Sequence, residues 1–307
     1  MAIDYQGAIA FITGGASGAA FGQAQLFGRL GCRIFIVDIR GDALAEALAR
    51  LRAEGIDATG AKLDLTDREA YAAVADRVER DLGAPPRFLF NTAGVFAMGP
   101  TAASTYEDYD WVFGVNLGGV INGMVTFVPR MIKAGRGGHV VSTSSVGGFL
   151  AHDGNTLYCA AKAAVISLME GYRGALARHG IGVSVLCPMN IRSNIARSAD
   201  TRPDHLARTG YNVSAETVAS LQSVYDHGMD PIVLAEHVRR GIEANQLYIV
   251  PYPEARDVLT PHYDEILAAI PSSDSDPEGV ATRLATIDRW IAERGDIFER
   301  TGAGAPL

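Results

Sequence analysis

A glycine-rich stretch, TGGASGAAFG at residues 13–22, restricts what this chain can fold into more than any other part of its sequence. It follows a short apolar run at residues 8–13, which is typical of a strand buried on both faces. A helical pattern then continues to Leu30. Strand, glycine turn and helix in this order indicate dinucleotide binding, because a pyrophosphate can approach both the turn and the helix N-terminus. A merely flexible loop is the alternative interpretation.

Strand-like apolar segments alternate with helical segments as far as about residue 250. This alternation predicts an α/β fold with one doubly wound parallel sheet, the Rossmann fold. Residues 1–270 form the predicted single dinucleotide-binding domain, with a substrate-loop insertion at about 193–230. Residues 271–307 form a predicted C-terminal helical extension. Long insertions in compact α/β proteins commonly act as lids or substrate loops.

The ends of the predicted strands supply candidate cofactor residues. Gly14 permits the tight turn, and Gly18 lets the backbone approach a pyrophosphate. Asp38 ends the next strand, where a carboxylate can accept the ribose hydroxyls and repel a 2′-phosphate. The adjacent Arg40 could instead accommodate that phosphate, but the position of Asp38 favours NAD. The candidates from this part of the sequence are Gly14, Ser17, Gly18, Ala19, Asp38, Asp64, Leu65, Asn91, Ala93 and Gly94.

A second stretch, residues 138–162, combines a predicted strand, a Ser/Gly-rich turn and the start of a long helix. Tyr158 and Lys162 are four residues apart and therefore share one face of that helix. Ser145 follows the strand, at the edge where an α/β sheet binds its ligands. A phenol beside an ammonium group can exchange a proton with an alcohol, because the cation lowers the phenol pKa from about 10. An amphipathic helix with a packed Tyr and an exposed Lys is the alternative.

Asn116 lies inside a helical pattern that runs from Tyr106 to Lys133. Asparagine is a poor residue in the middle of a helix, because its side chain competes for backbone hydrogen bonds. The sequence therefore indicates either a kink with a polar function or a tolerated exposed position.

Composition argues against several classes of function. A net charge of -8 argues against a nucleic-acid-binding surface, and no run of about 18 apolar residues is present to cross a membrane. Cys32, Cys159 and Cys187 show no metal-ligand or C-x-x-C spacing, which predicts a reducing compartment and no metal site. The first residues do not have the pattern of a signal peptide. We therefore expect a cytoplasmic protein without nucleic-acid or membrane partners.

Taken together, the motifs resemble those of the short-chain dehydrogenase/reductase family over roughly residues 5–250. They are TGGASGAAFG at 13–22, NTAG at 91–94, Asn116, Ser145 and YCAAK at 158–162. The resemblance implies that Tyr158 is the acid/base and that Lys162 lowers its pKa and holds the nicotinamide ribose. It implies that Ser145 orients the substrate oxygen and that Asn116 holds a proton-relay water.

The resemblance also extends past the sixth predicted strand. It implies that Ile191 contacts the nicotinamide carboxamide and that Ser193 contacts the cofactor, although Met189 stands where the family commonly has glycine. It further implies a homodimer or homotetramer built on the two long helices. Gly171 and Gly174 in the second of these helices would allow close packing between subunits.

Four further segments, at 110–131, 180–196, 248–254 and 273–279, are similar to the Cα-dehydrogenases of lignin β-aryl ether catabolism. This similarity implies NAD-dependent oxidation of a benzylic Cα alcohol to a ketone. The alternatives are an NAD(P)-dependent dehydrogenase or carbonyl reductase for another bulky secondary alcohol, such as a steroid or hydroxy ester, and a catalytically inactive dinucleotide sensor. An intact acid/base set argues against the sensor, because a protein that only binds does not need one.

An aromatic alcohol with polar substituents needs a pocket with apolar walls and a few polar groups. The residues expected near it follow the predicted fourth and fifth strands or the predicted sixth strand. They are Phe96, Ser145, Phe149, Leu150, Asn155 and Asn190. The alternative for the apolar residues among them is an ordinary place in the core.

Overall fold

The computed structural model describes residues 3–303, and it describes side chains for residues 3–293. Residues 1–2 of the predicted domain and 304–307 of the predicted extension lie outside the described residues. The strands are β1 (Ile9–Thr13), β2 (Arg33–Asp38), β3 (Ala58–Lys62), β4 (Phe88–Asn91), β5 (Gly138–Thr143), β6 (Ile181–Leu186) and β7 (Tyr248–Ile249). The helices are α1 (Gly18–Arg29), α2 (Gly41–Ala53), α3 (Arg68–Leu82), α4 (Tyr106–Phe113), α5 (Gly119–Ala134), α6 (Thr156–Ala177), α7 (Ala215–Asp226), α8 (Pro231–Glu243), α9 (Ala255–Ala268) and α10 (Pro277–Ala303).

Within the described residues the strands form one seven-stranded sheet in the order β3-β2-β1-β4-β5-β6-β7. Every neighbouring pair is parallel. Parallel strands need crossover helices on both faces, so their side chains are buried on both sides. The predicted doubly wound α/β sheet is confirmed.

The two faces of the sheet carry two separate cores, because successive strand side chains point to opposite faces. On one face Phe11 packs against Phe127 of α5, with ring centroids 4.5 Å apart. On the other face Phe90 packs against Phe27 of α1 at 4.8 Å. All four rings are fully buried. Replacing any one of them with alanine should destabilise the fold by about 3–5 kcal/mol, because the cavity cannot close completely.

The order of the strands opens a crevice at one edge of the sheet. From β1 the chain moves outward through β2 to β3 and then returns to β4 on the other side of β1. The loops that leave β1 and β4 therefore diverge, and a ligand can lie between them. The glycine turn at 13–17 and the loop at 92–97 border this crevice.

A π-helical turn, Gly114–Gly118, joins α4 to α5 and contains Asn116. Asn116 is fully buried. Of the two interpretations of its helical position, the kink is therefore confirmed and the exposed position is wrong. Single π turns inside α-helices frequently occur at functional sites, because they redirect a side chain.

The continuous helical segment Tyr106–Ala134 is long and apolar enough to cross a membrane by length and composition. From the sequence alone we expect no such segment. More than half of its most apolar window is buried inside the fold, because Trp111, Met124 and Phe127 pack in the core. This is the burial of a core helix.

The insertion at 193–230 has both of its ends held together. Ile191 forms an isolated parallel bridge with Met229, and Arg192 pairs with Asp230 at 2.8 Å. Between these ends lie two short 3-10 segments, Ile195–Thr201 and Asp204–Leu206, followed by α7. The insertion is therefore a compact loop with adjoining ends.

A buried ion pair fastens the insertion to α4. Arg202 donates to Asp108 at 2.7 Å, and the guanidinium lies 5.0 Å from the ring centroid of Trp111. Asp108 also accepts from the main-chain N–H groups of Thr105 at 2.9 Å and Gly210 at 3.3 Å. Asp108 is fully buried and the Arg202 side chain is nearly so, so each charge depends on the other.

The chain divides into two compact units, residues 1–255 and 256–307. This boundary lies earlier in the chain than residue 270, which is the boundary predicted from the sequence. In the described part of the second unit, most of α9 is followed by a 3-10 turn, Ser273–Ser275, and then by α10. The helical character predicted for the extension thus begins earlier in the chain.

Replacing Asp108 with Asn should lower the free energy of unfolding by about 3–5 kcal/mol, since it leaves the buried Arg202 cation unpaired. Chemical denaturation measures this change. Asp76→Asn is the control, because its pair with Arg130 is more exposed and should contribute no more than about 1 kcal/mol. A loss in Asp108→Asn no larger than in Asp76→Asn would show that the ion pair does not stabilise the fold.

The loss of stability caused by Asp108→Asn should depend on pH. Burial opposes the charge of Asp108, but hydrogen bonds from Thr105, Thr209 and Arg202 outweigh it and lower the pKa of Asp108 to about 2. The stabilisation is therefore fully present above the unfolded pKa of about 4 and is lost as the pH falls through about 2. The difference between the unaltered protein and Asp108→Asn should shrink over that range.

Candidate active site

The glycine turn after β1 forms a cradle for an anionic group. Gly14 and Gly18 have positive φ angles, +72° and +55°. Ser17 precedes α1 without capping it through its side chain, and the first turn of α1 contains no acidic residue. The N–H groups of the first turn, including that of the buried Ala19, are therefore not claimed by a side-chain cap. A pyrophosphate fits this arrangement.

Close packing around Gly18 links the turn to the start of the insertion. A Cβ atom at Gly18 would lie only 2.8 Å from the Cβ of Ser193. Ser193 and the glycine turn therefore border the same space. Ile191 is half-buried against the core beneath it.

Asp38 at the end of β2 is almost fully buried. Its carboxylate accepts from the N–H of Ala16 at 3.2 Å and from the N–H and Nε of Arg40 at 3.0 and 3.3 Å. Arg40 also donates to the hydroxyl of Ser17 at 3.2 Å. A carboxylate and a guanidinium thus lie side by side where the adenosine ribose is expected.

Asp64 and Leu65 follow β3. Asp64 is exposed, and its carboxylate accepts from the N–H and hydroxyl of Thr66 at 2.9 and 2.7 Å. Leu65 is buried in the core, and its carbonyl accepts from Asn122 at 2.8 Å. The side chain of Leu65 is therefore not available for the predicted contact with adenine.

Asn91 lies at the end of β4 with its side chain turned into the core, where Nδ2 donates to Ser142 at 3.1 Å. Only the main chain of Asn91 is left for a cofactor contact. The period of two along β4 was the available signal, because Asn91 shares a face with the buried Leu89. Ala93 and Gly94 are half-buried beyond it, and the Ala93 N–H donates to Thr13 at 3.0 Å.

Tyr158 and Lys162 lie on the first turns of α6, and Ser145 follows β5. Lys162 is buried, its Nζ donates to the carbonyl of Thr143 at 2.8 Å, and it lies 5.6 Å from the centroid of the Tyr158 ring. The Ser145 hydroxyl accepts from Gly147 at 3.1 Å and donates to the Pro188 carbonyl at 3.3 Å. The structure therefore brings an ammonium group next to a phenol, on the helix face that the spacing predicted.

Burial decides the acid–base character of this pair. It raises the pKa of Tyr158, although the hydroxyl of Ser145 lowers it. It also lowers the pKa of Lys162 to about 8. From the sequence we expect Lys162 to lower the pKa of Tyr158. The net direction is the opposite, because removal of the phenolate from water is the largest effect.

The side chain of Asn116 holds the loop after β4. Its Nδ2 donates to the carbonyl of Val95, and its Oδ1 accepts from the N–H of Val95, both at 2.9 Å. A Cβ atom at Gly94 would lie 2.8 Å from Asn116 Oδ1 and 3.3 Å from Lys162 Nζ. Glycine at this position therefore allows the side chains of Asn116 and Lys162 to approach the main chain after β4.

Known proteins share both this geometry and its sequence. Residues 8–204 match the family model described as short chain dehydrogenase. The chain is a member of this short-chain dehydrogenase family. It is 51% identical over 295 residues to the C alpha-dehydrogenase of Sphingobium sp. strain SYK-6, covering 96% of this chain and 97% of that protein.

Solved structures agree with the family assignment. The apo form of LigD from Sphingobium sp. strain SYK-6 is 47% identical, with a TM-score of 0.75 over 88% of this chain and all of that one. A short-chain dehydrogenase/reductase from Burkholderia phymatum, in complex with NAD, is 31% identical with a TM-score of 0.81, covering 88% of this chain and 98% of that one. This short-chain dehydrogenase is therefore an oxidoreductase that uses a nicotinamide dinucleotide.

One of the residues predicted to contact substrate lies against the acid/base candidate of the dehydrogenase. The ring of Phe96 meets that of Tyr158 edge to face, with centroids 5.1 Å apart. The N–H of Phe96 donates at 2.9 Å to the hydroxyl of Ser198, which belongs to the insertion. Sequence reasoning missed Ser198, because nothing local to it distinguishes a serine that meets a residue so distant in the chain.

The structure does not bring all of the other predicted substrate residues next to Phe96 and Tyr158. Phe149 packs against the core with its ring centroid 6.2 Å from that of Tyr248. Asn155 accepts from the thiol of Cys159 at 3.2 Å, and Leu150 is half-buried. Asn190 is exposed, and its carbonyl accepts from Tyr252 and Met229 at 2.9 Å.

Replacing Gly18 with Ala should weaken binding of a nicotinamide dinucleotide to the dehydrogenase at least ~10-fold. The new Cβ would press on Ser193 and obstruct the approach of the pyrophosphate to the turn. Fluorescence titration with the reduced dinucleotide measures the dissociation constant. Gly55→Ala is the control, because Gly55 has a similar φ of +77° but nothing within 4 Å of its Cβ position.

Both substitutions force alanine into a left-handed conformation and should lower stability by about 1–2 kcal/mol. Only Gly18→Ala should change the dissociation constant. Equal affinity in the two variants would show that the turn does not hold the cofactor.

Proposed function

We propose that this dehydrogenase oxidises the benzylic Cα alcohol of a lignin-type β-aryl ether to the Cα ketone, with NAD as the hydride acceptor. The observation that carries the proposal is the 51% identity to a C alpha-dehydrogenase over 96% of the chain. Similarity of this extent includes the insertion fastened beside the catalytic residues. Substrate choice usually depends on such loops rather than on the sheet.

The proton is transferred by the residues at the start of α6. The substrate hydroxyl lies between Ser145 and Tyr158, and the ionised phenol of Tyr158 accepts its proton as the ketone forms. A bound nicotinamide dinucleotide would accept the hydride from the Cα carbon. Ser145 keeps the alcohol oxygen in line with the phenol through its hydroxyl.

Lys162 supplies the positive charge that this proton transfer needs. Its Nζ is 5.6 Å from the centroid of the Tyr158 ring, so the ammonium form favours the phenolate. Burial lowers the pKa of Lys162 to about 8, so the ammonium form predominates below that pH. The amide of Asn116 donates once to Val95 and accepts once from it, which holds Asn116 beside the site where a proton-relay water would bind.

Tyr158→Phe should lower kcat for alcohol oxidation at least ~100-fold, because the ring is kept while the proton acceptor is lost. Affinity for the dinucleotide should hardly change, which fluorescence titration can verify. Lys162→Ala should lower both the turnover and the affinity for the dinucleotide. Turnover in the unaltered enzyme should rise with pH while Tyr158 ionises, because its pKa is raised. The rise should end near pH 8, where Lys162 loses the charge that favours the phenolate. Near-normal turnover in Tyr158→Phe would exclude the mechanism.

The preference for NAD rests on Asp38. A 2′-phosphate would be placed against a buried carboxylate, although Arg40 forms an ion pair with that carboxylate at 3.3 Å. The carboxylate is the less exposed of the two and is held by two main-chain N–H groups, those of Ala16 and Arg40. We therefore assign the ribose contact to Asp38.

Asp38→Ala should lower the ratio of kcat/KM with NAD to kcat/KM with NADP at least ~10-fold, which corresponds to about 1.4 kcal/mol. The reason is that the substitution removes the repulsion of a 2′-phosphate and leaves Arg40 free to bind it. Steady-state kinetics with both cofactors measure the ratio. Higher efficiency of the unaltered enzyme with NADP would overturn the assignment.

The substrate class is tested by comparing three alcohols at saturating NAD. They are a β-aryl ether dimer with a benzylic hydroxyl, a steroid alcohol and a simple aliphatic secondary alcohol. We expect the highest kcat/KM for the β-aryl ether. A higher value for either of the others would refute the substrate class and leave the dehydrogenase assignment intact.

We also propose that copies of the dehydrogenase associate in the cytoplasm as a homodimer or homotetramer through α5 and α6. Val125 on α5 is 64% exposed, and within the described residues no atom lies within 4 Å of a Cβ position at Gly171 or Gly174 on α6. Such small residues allow another helix to approach closely. A monomer mass by light scattering would contradict this proposal.

A further inference from the structure

The peptide group between Val95 and Phe96 is held from both of its ends. Its carbonyl oxygen, which belongs to Val95, accepts from Nδ2 of Asn116 at 2.9 Å. Its N–H, which belongs to Phe96, donates to the hydroxyl of Ser198 at 2.9 Å. Asn116 lies in the π-helical turn before α5, and Ser198 lies in the insertion. Because a peptide group is planar, these two bonds restrict the plane from which the Phe96 side chain projects.

The hydroxyl of Ser198 is itself held in one orientation. It donates its single proton to the carbonyl of Ile195 at 2.6 Å, so toward Phe96 it acts only as an acceptor. Ser198 is 7% exposed, and its carbonyl accepts from the hydroxyl of Thr201 at 2.7 Å in the same 3-10 segment. Without the Ser198 hydroxyl the N–H of Phe96 would lose this acceptor, and the loop after β4 would gain freedom to move.

The ring of Phe96 transmits this restraint to the acid/base candidate. It meets the Tyr158 ring edge to face, with centroids 5.1 Å apart and an interplanar angle of 74°. This is a preferred geometry for two aromatic rings, so each ring favours one setting of the other. Lys162 Nζ lies 5.6 Å from the centroid of the same Tyr158 ring. Phe96 and Lys162 thus both border the phenol that has to be aligned with the substrate hydroxyl.

A second hydrogen bond joins the insertion to the same loop at a different place. The hydroxyls of Tyr211 and Ser104 are 2.7 Å apart. Ser104 donates its own proton to the carbonyl of Thr101 at 2.7 Å, so Tyr211 is the donor in this pair. Ser104 lies at the end of the loop, just before α4, and this bond fastens the insertion without holding the peptide group at Phe96.

We propose that Ser198 is a positioning residue. Through the N–H of Phe96 it keeps the Phe96 ring against Tyr158, and so holds the phenol in line with the alcohol that it deprotonates. This inference rests on the proposed function in one respect, namely that Tyr158 is the proton acceptor. The insertion thereby contributes to the alignment of the acid/base, in addition to any contact that it makes with substrate.

The experiment measures the rate constant for reduction of NAD in a single turnover, with the enzyme in excess over NAD and the alcohol saturating. Ser198→Ala should lower this constant about 10-fold, which corresponds to about 1.4 kcal/mol, the upper end for an aromatic pair. The loss should be the same for a β-aryl ether dimer and for 1-phenylpropan-1-ol, because one phenol serves both. The half-saturating concentration of each alcohol should change less than ~2-fold, since binding is not the affected step. Ser198→Thr keeps the hydroxyl and should restore the rate constant.

Tyr211→Phe is the matched control, because it removes a hydrogen bond of similar length between the insertion and the same loop. It should leave the rate constant unchanged. Equal losses of rate in Ser198→Ala and Tyr211→Phe would show that any loosening of the insertion slows the reaction, and would overturn the role of Ser198.

A double-mutant cycle tests whether Ser198 acts through the ring of Phe96. In a Phe96→Leu background, which lacks the ring, Ser198→Ala should lower the rate constant further by less than ~2-fold. A full additional loss in that background would overturn the inference. So would a loss in Ser198→Ala confined to the half-saturating concentration of the alcohol, because Phe96 would then only line the pocket.

The proposed function fails in ways that can be told apart from these outcomes. Near-normal turnover in Tyr158→Phe would overturn the proton transfer and this inference with it. Failure of the unaltered enzyme to oxidise the dimer, with 1-phenylpropan-1-ol still oxidised, would overturn the proposed substrate and leave the role of Ser198 to be decided by the second alcohol alone.

Discussion

All seven strands of the sheet within the described residues run in parallel, and this constraint determines where chemistry can occur. Parallel strands end at one edge, so residues that follow different strands become neighbours there. Gly14 follows β1, Gly94 follows β4 and Ser145 follows β5. Each would be an ordinary turn residue without the others. The reversal of strand order between β1 and β4 then separates two of these turns and leaves room for an extended ligand.

Charged groups buried at this edge are energetically unfavourable for the fold. Lys162 is buried with a carbonyl as its hydrogen-bond acceptor, and burial shifts the pKa values of Lys162 and Tyr158 in opposite directions. Both shifts favour the neutral forms, so the resting pair resists ionisation. A hydroxyl from Ser145 and the ammonium form of Lys162 act against this tendency.

Much of this arrangement could be predicted from the sequence, because it depends on local spacing. The glycine turn, the four-residue interval between Tyr158 and Lys162 and the apolar strands each follow from residues close together in the chain. The contacts of the insertion could not be predicted in the same way. Arg202 meets Asp108 across 94 positions, and Ser198 meets Phe96 across 102. Periodicity gives the face on which a side chain lies, but not the distant residue it contacts.

One feature was accessible from the sequence but open to misinterpretation. Asn91 fits a family motif, yet the period of two along β4 places its amide in the core.

The bridge between Ile191 and Met229 has a consequence for how proteins of this architecture diverge. Because the ends of the insertion meet, its length and sequence can change without moving β6 or α8. The entropic cost of closing a loop also grows only slowly with its length. The acid/base residues Ser145, Tyr158 and Lys162 lie outside this stretch. Residues 193–228 could therefore be exchanged between relatives as one unit, while the acid/base set stayed with its host.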